Sequence, residues 1–123
     1  MPGAVAVRHV LIVDDNVSLA ENIAEILQIY GHTTRVAGSA EEAFPNGRED
    51  HPDVVVTDYR LPGITGAAFV KQFLATHARV RAMVISAYTD AKTIDAAMEA
   101  GATFMAKPLD FTLLGHWVGE GSV

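Results

Sequence analysis

Four apolar runs of this sequence each end in a side chain that could handle a metal ion or a phosphoryl group. The end residues are three aspartates, a serine and a lysine: Asp14, Asp15, Asp58, Ser86 and Lys107. Carboxylate oxygens are the ligands that divalent cations such as Mg²⁺ prefer. A hydroxyl and an ammonium can both bind phosphoryl oxygens. If the four runs are neighbouring parallel strands, these groups predict one site for a divalent cation and a phosphoryl group.

Asp58 is the central residue of this set. Val54-Val55-Val56 is a β-branched run without alternation, which predicts a strand buried on both faces. Leu61-Pro62-Gly63 is a turn signal, so the chain must leave the sheet directly after Asp58. A lone aspartate at a strand end could equally be a helix cap or a turn residue. The convergence of four strand ends favours a site at the carboxyl edge, where open α/β sheets bind ligands.

The elements that must position these residues alternate along the chain as five strands and five helices. The predicted strands include residues 9–13, 33–36, 54–56, 80–85 and 103–106. Such alternation implies right-handed βαβ crossovers and a parallel sheet with helices on both faces. The commonest doubly wound order for five strands is 2-1-3-4-5. This order places the first and third strands side by side, so Asp14, Asp15 and Asp58 should meet.

Polar residues before each helical run predict where the helices begin. The predicted caps are Ser18, Ser39 (with Glu42 completing a capping box), Thr65, Asp90 and Asp110. Gly31 and Gly101 should end the first and fourth helices. Pro45 should interrupt the second helix. Gly115 and Gly119 should weaken the last helix, so we expect it to fray or end early.

Composition bounds the function classes. The chain has 123 residues, half of them apolar, which suits one domain with a normal core. Nine basic against fifteen acidic residues give a net charge of −6, which argues against direct nucleic-acid or anionic-membrane binding. There is no cysteine and no apolar run near the roughly 20 residues that a membrane span needs. We therefore expect a cytoplasmic protein. The five histidines show no ligand spacing and should be solvated, whereas Met83, Met98 and Met105 should be core residues.

Four motifs now occur in order, each at a predicted strand end. They are Val13-Asp14-Asp15, Asp58 with Leu61-Pro62-Gly63 and Gly66, Ser86-Ala87, and Lys107-Pro108. Together they resemble the receiver domain of two-component response regulators, which has a flavodoxin-like α/β fold. The resemblance covers about residues 8–118. It predicts that residues 1–123 are a single receiver domain.

The resemblance implies a role for each matching residue. Asp58 is expected to be the phosphoacceptor, and Asp14, Asp15, Asp58 and the backbone carbonyl of Arg60 are expected to hold Mg²⁺. Ser86 should bind a phosphoryl oxygen, and Lys107 should pair first with Asp58 and then with the phosphoryl group. Ser86 and Phe104 match the switch positions, and the peptide bond between Lys107 and Pro108 is expected to be cis.

These roles imply a signalling protein that catalyses only its own phosphorylation and dephosphorylation. Its expected donor is a sensor histidine kinase or a histidine phosphotransfer protein. Its expected output surface is made of the fourth helix, the fifth strand and the fifth helix, which would contact an output domain or a partner. Direct contact with nucleic acid or membrane is not expected.

Other readings of the same residues stay open from the sequence alone. The chain could be a receiver-like interaction module that does not use phosphorylation, a Mg²⁺-dependent phosphatase with an aspartate nucleophile, or a flavin-binding protein of the same fold. Asp14-Asp15 could be an ordinary β–α turn, and Phe104 could simply pack in the core. Arg60 departs from common family patterns, since it places a bulky cation two residues after Asp58. This side chain could alter how water reaches an acyl phosphate.

Overall fold

A computed structural model of the chain describes residues 7–44 and 51–120. Its strands are β1 (His9–Val13), β2 (Thr33–Ala37), β3 (Val54–Asp58), β4 (Arg81–Ser86) and β5 (Thr103–Ala106). Its helices are α1 (Val17–Ile29), α2 (Ala40–Ala43), α3 (Gly66–Thr76), α4 (Ala91–Glu99) and α5 (Phe111–Gly119). The predicted interruption at Pro45 lies outside the described residues.

The five strands form one parallel sheet in the order β2-β1-β3-β4-β5, which confirms the predicted fold. Between β3 and α3, Arg60–Leu61 pairs with Ile64–Thr65 in a short antiparallel ladder outside the sheet. This ladder turns the chain away from the sheet directly after Asp58. The turn signal Leu61-Pro62-Gly63 predicted that change of direction.

The core lies on both faces of the sheet. Helices α1 and α5 contribute apolar residues such as Ile23, Leu27 and Leu114 to one face. Helices α2, α3 and α4 cover the other face, where Phe69 and Phe73 of α3 are fully buried. The non-alternating run of β3 is buried because both faces of its strand are covered. No helix of the described residues is long and apolar enough to cross a membrane.

The helix caps match the predictions except at α1. Side chains of Ser39, Thr65, Asp90 and Asp110 accept backbone hydrogen bonds at the starts of their helices, as predicted. At α1 the predicted cap, Ser18, is wrong, because the helix already begins at Val17. Asn16 is the cap, and its Oδ1 accepts a hydrogen bond from the backbone N–H of Leu19 at 3.2 Å. The start of α1 is therefore tied to the Asp14-Asp15 turn.

The predicted early end of α5 is also wrong. The helix continues through Gly115 to Gly119. Gly115 is buried, and a Cβ atom at this position would overlap the ring of Tyr30 at the end of α1. The glycine that costs helix propensity therefore permits close packing between α1 and α5.

Burial corrects two further predictions. His32 is buried at 3% exposure, and its Nδ1 accepts a hydrogen bond from the backbone N–H of Arg8 at 3.1 Å, so it is not a solvated histidine. Met98 is 63% exposed, whereas Met83 is buried as predicted. The inward position of α4 is Ala97, and one further residue turns the side chain of Met98 by about 100° toward solvent.

Candidate functional site

Three carboxylates meet at the carboxyl edge of the sheet. Val13 of β1 pairs with Thr57 of β3, so Asp14 and Asp58 follow these neighbours at the ends of adjacent strands. One oxygen from each of Asp14, Asp15 and Asp58 lies within 4.8 Å of the others. Asp14 is fully buried, Asp58 is partly buried and Asp15 is exposed. The predicted convergence of strand ends produces one compact acidic cluster.

Asp14 carries the electrostatic cost of this cluster. Its Oδ1 accepts a hydrogen bond from the backbone N–H of Asn16 at 2.9 Å, but its Oδ2 is buried and no other described residue forms a hydrogen bond with it. Burial raises the pKa of Asp14 above its ordinary value of 3.8. The Asn16 hydrogen bond lowers the pKa, and the nearby charge of Asp58 raises it. An unpaired buried carboxylate oxygen is costly, and a cation at the cluster would relieve that cost.

The donor set fits a small divalent cation. Octahedral Mg²⁺ holds oxygens at 2.0–2.1 Å, which places neighbouring ligand oxygens about 3 Å apart and opposite ones about 4.2 Å apart. The three carboxylate oxygens all lie within 4.8 Å of one another, close to the spacing of opposite ligands around such an ion. Because no described residue forms a hydrogen bond with Oδ2 of Asp14, this oxygen is available to a cation. The cluster can therefore hold such an ion.

Lys107 supplies positive charge beside the cluster. Its Nζ lies 3.1 Å from Oδ1 of Asp58. The backbone N–H of Lys107 donates to the carbonyl of Ser86 at 2.9 Å, which attaches the end of β5 to the end of β4. The peptide bond between Lys107 and Pro108 is cis. The ammonium thus reaches Asp58 from two strands away.

Ser86 is the last residue of β4 and is buried at 1% exposure. Its Oγ accepts a hydrogen bond from the backbone N–H of Tyr88 at 2.9 Å. The Arg60 guanidinium lies over the Tyr88 ring, 4.4 Å from its centroid, and links the segments that follow Asp58 and Ser86. The sequence analysis did not single out Tyr88. The sequence did contain a signal for this contact, because Tyr88 follows Ser86 by two residues just as Arg60 follows Asp58 by two residues.

Gly66 fixes the path of the backbone behind Asp58. Its N–H donates to the carbonyl of Tyr59 at 2.6 Å. A Cβ atom at Gly66 would overlap the carbonyl oxygen of Asp58. Only glycine permits α3 to begin this close to the end of β3. The sequence analysis included Gly66 in the motif but gave it no physical role.

Phe104 lies in β5 opposite Val84 and is partly buried. It packs against the apolar cluster between the sheet and helices α2, α3 and α4. Core packing is therefore observed for this ring, and its role as a switch stays a prediction. The same holds for the Arg60 backbone carbonyl, whose role as a metal ligand stays a prediction.

Comparisons with known proteins point to one family. The family model for the response regulator receiver domain matches residues 10–118. A response regulator receiver protein of Anaeromyxobacter is 37% identical over 94 residues, which are 76% of this chain and 40% of that protein. The transcriptional regulatory protein ZraR of Escherichia coli is 30% identical over 103 residues, which are 83% of this chain and 23% of that protein. The chain spans less than half the length of these curated relatives.

A solved structure supports the fold independently. The CheY-like response regulator receiver domain protein of Methanospirillum hungatei superimposes with a TM-score of 0.84, covering 92% of this chain and 91% of that one. At 19% sequence identity this likeness concerns the fold alone.

Proposed function

The chain belongs to the response regulator receiver family, and from that premise we propose that it accepts a phosphoryl group onto Asp58 in a Mg²⁺-dependent reaction. The proposed donor is a phosphohistidine of a sensor histidine kinase or a histidine phosphotransfer protein. One observation carries the proposal. Asp58 lies in an ion pair with Lys107 and beside two further carboxylates, so the nucleophile, a counter-charge and a cation site coincide.

The chemistry is an in-line displacement at phosphorus. A carboxylate oxygen of Asp58 forms the new O–P bond while the P–N bond to the donor imidazole breaks, and the imidazole leaves with its electron pair. The product is an acyl phosphate on Asp58. The Lys107 ammonium is close enough to Asp58 to contact the equatorial phosphoryl oxygens during the transfer. Negative charge is spread over these oxygens in the transition state, and the ammonium would stabilise it.

Asp14, Asp15, Asp58 and the backbone carbonyl of Arg60 would hold the metal. When bound, Mg²⁺ supplies the positive charge that lets an anionic donor approach three carboxylates. The buried Asp14, with its unpartnered oxygen, is the ligand that the fold fixes most firmly. The exposed Asp15 has more freedom to adjust its position.

The test is phosphorylation by a small donor, acetyl phosphate, followed by intact-mass analysis. We expect the wild type to gain one phosphoryl group in Mg²⁺ and Asp58→Asn to gain none. Asp95→Asn removes an exposed carboxylate of α4 and serves as the matched control, which should be modified like the wild type. Modification of Asp58→Asn, or full modification of the wild type in chelator, would refute the proposal. Absence of any modification would favour a receiver-like interaction module.

The proposed output runs through Ser86 and Phe104. The Ser86 Oγ would leave the backbone N–H of Tyr88 and bind a phosphoryl oxygen, and the Phe104 ring would then shift toward the space that opens. This shift would bias a surface of α4, β5 and α5 between two states. That surface already exposes apolar side chains, with Met98 at 63% and Leu113 at 56% exposure. An output domain or a separate partner would bind there.

A beryllofluoride adduct, which mimics the acyl phosphate, tests this output. NMR should show that the Phe104 χ1 rotamer changes between the free protein and the adduct. In Ser86→Ala the adduct should form but the Phe104 rotamer should stay as in the free protein. An unchanged Phe104 rotamer in the wild-type adduct would contradict the switch and would leave the role of Asp58 intact.

A further inference from the structure

A cavity lies at the amino-terminal edge of the sheet, at the opposite end of β3 from Asp58. It has a volume of about 550 Å³ and is bordered by Arg8 before β1, Pro52 and Asp53 before β3, and residues 79–81 at the start of β4. Val54 begins β3 at this edge and Asp58 ends it, so the two edges are about 13 Å apart along the strand, at roughly 3.3 Å per residue. The volume is in the range of small-molecule sites.

Positive charge is concentrated in this cavity. Arg8, Arg79 and Arg81 all line it, in a chain whose net charge is −6. Asp53 is the carboxylate of the lining, and its Oδ2 accepts a hydrogen bond from the backbone N–H of His9 at 2.8 Å. Among the described residues, no carboxylate forms an ion pair with any of the three arginines.

Arg81 is held rigidly in this lining. One of its terminal nitrogens donates to the carbonyl of Trp117 at 2.7 Å and to that of Glu120 at 2.6 Å. Its guanidinium also stacks on the Trp117 ring, 4.2 Å from the centroid. Because the side chain is already ordered, little conformational entropy is lost when a ligand binds it.

Arg8 contributes a buried donor to this region. Its Nε is buried and has no hydrogen-bond partner among residues 7–44 and 51–120. Burial lowers the pKa of Arg81, and the nearby charge of Arg8 lowers it further, although Glu120 opposes the shift. The cavity therefore brings three guanidinium groups close to one another, and an anion bound among them would offset the cost of their burial and mutual repulsion.

We propose that this arginine-lined cavity is a binding site for a small organic anion that carries phosphate or carboxylate groups. Guanidinium groups match both oxyanions through paired N–H donors, which favours these groups over a simple halide. Pro52, Val54 and Val80 give the cavity apolar walls, which favour an anion with a carbon skeleton. The proposal is independent of phosphoryl transfer at Asp58.

Isothermal titration of pyrophosphate and of citrate into the protein tests the site. The protein is first stripped of metal and dialysed into chelator-free buffer at constant ionic strength, so that the acidic cluster holds no metal and no chelator competes for the cavity. At least one anion should bind saturably with one site per chain, and the stronger of the two identifies the preferred group. The double variant Arg8→Gln/Arg79→Gln should bind at least tenfold more weakly. The exposed pair Lys71→Gln/Lys92→Gln changes the net charge equally, and this control should stay within twofold of the wild type.

Amide chemical shifts locate the bound anion. Saturation should move the amides of His9, Asp53 and Arg81 in the wild type. Single Arg79→Gln keeps the test decisive if the double variant is unstable, because Arg79 is exposed, and it should still weaken binding by at least threefold. The proposal is overturned if neither anion binds saturably, if the arginine variants and the lysine control lose affinity equally, or if the shifts are confined to the surroundings of Asp58 and Lys107.

Discussion

At the carboxyl edge of the sheet three carboxylates face one ammonium, whereas at the amino edge three guanidinium groups border one carboxylate. Each edge also stacks an arginine on an aromatic ring, Arg60 on Tyr88 and Arg81 on Trp117. The two arginines differ in how they are held. Arg81 also donates hydrogen bonds to two backbone carbonyls, whereas Arg60 is exposed.

The difference shows how one parallel sheet can create two charged sites of opposite sign. At the carboxyl edge the charges sit on strand ends, so their positions follow from the strand order. At the amino edge they sit on the segments that enter the strands, and one is fixed through α5. The acidic cluster is thus a direct product of the sheet, and the arginine cavity depends on packing between distant segments.

The largest expected effect comes from the backbone that positions the acidic edge. Gly66→Ala should lower the free energy of unfolding by about 3 kcal/mol, because its Cβ would overlap the backbone of Asp58, which cannot rotate away. Gly115→Ala is the matched control. There the overlap is with the Tyr30 ring, which is 40% exposed and can move, so we expect a loss of about 1 kcal/mol. Urea unfolding measures both, and an equal or smaller loss for Gly66→Ala would contradict the close-approach argument.

Substitutions at the two edges of the sheet should affect the rate of phosphorylation very differently. Lys107→Met should slow phosphorylation by acetyl phosphate about 100-fold, as removal of one charged donor from a developing oxyanion does elsewhere. Arg8→Gln/Arg79→Gln, at the other edge, should react within twofold of the wild type. Initial rates from intact-mass time courses decide the point. If the arginine variant is slowed as much as Lys107→Met, the two edges do not act independently.

The two stacked arginines offer a smaller, matched comparison of stability. Arg81→Met should lower the free energy of unfolding by about 1–2 kcal/mol, because two charge-assisted hydrogen bonds are lost. Arg60→Met should cost about 0.5 kcal/mol, the value of an exposed cation–π contact. Thermal or urea unfolding of both variants checks the order. The reverse order would mean that the two hydrogen bonds of Arg81 to backbone carbonyls do not stabilise the folded protein.

One substitution should increase stability. Asp14→Asn should stabilise the metal-free protein at pH 7 by about 1 kcal/mol, because burial raises the pKa of Asp14 and makes its ionised form costly in the folded state. The substituted side chain keeps an oxygen for the Asn16 N–H. Below the ordinary pKa of 3.8 the carboxyl is protonated in both states, so the advantage should vanish there. It should grow as the pH rises above 3.8 and be complete above the raised folded-state pKa.

Unfolding in chelator at neutral and acidic pH checks this prediction, with Asp95→Asn as an exposed control that should show no such gain. In excess Mg²⁺ the wild type should become the more stable protein, since binding at ten times Kd stabilises the folded state by about 1.4 kcal/mol and the variant should lose most of this gain. A loss of stability in Asp14→Asn at pH 7 in chelator would show that the ionised, buried carboxylate of Asp14 does not destabilise the folded protein.

Local signals in the sequence predicted the strands, and the commonest doubly wound order then predicted the sheet order and the acidic cluster. Buried β-branched runs mark the strands, and parallel strand order then brings Asp14 and Asp58 together. Contacts between distant segments were beyond such reasoning. The burial of His32 against the backbone of Arg8 and the close packing of Gly115 on Tyr30 leave no local pattern. The same limit hid the arginine cavity.

The central claim is that Asp14, Asp15 and Asp58 form one metal site with Asp58 as the phosphoacceptor. A crystal structure of the protein grown with Mg²⁺ and beryllofluoride tests it most directly. We predict beryllofluoride on an Asp58 oxygen, with Mg²⁺ about 2.1 Å from oxygens of Asp58 and of at least one other aspartate of the cluster. Lys107 should have moved from Asp58 to a fluoride. Beryllofluoride on another carboxylate, or Mg²⁺ without contact to Asp14 or Asp15, would contradict the account.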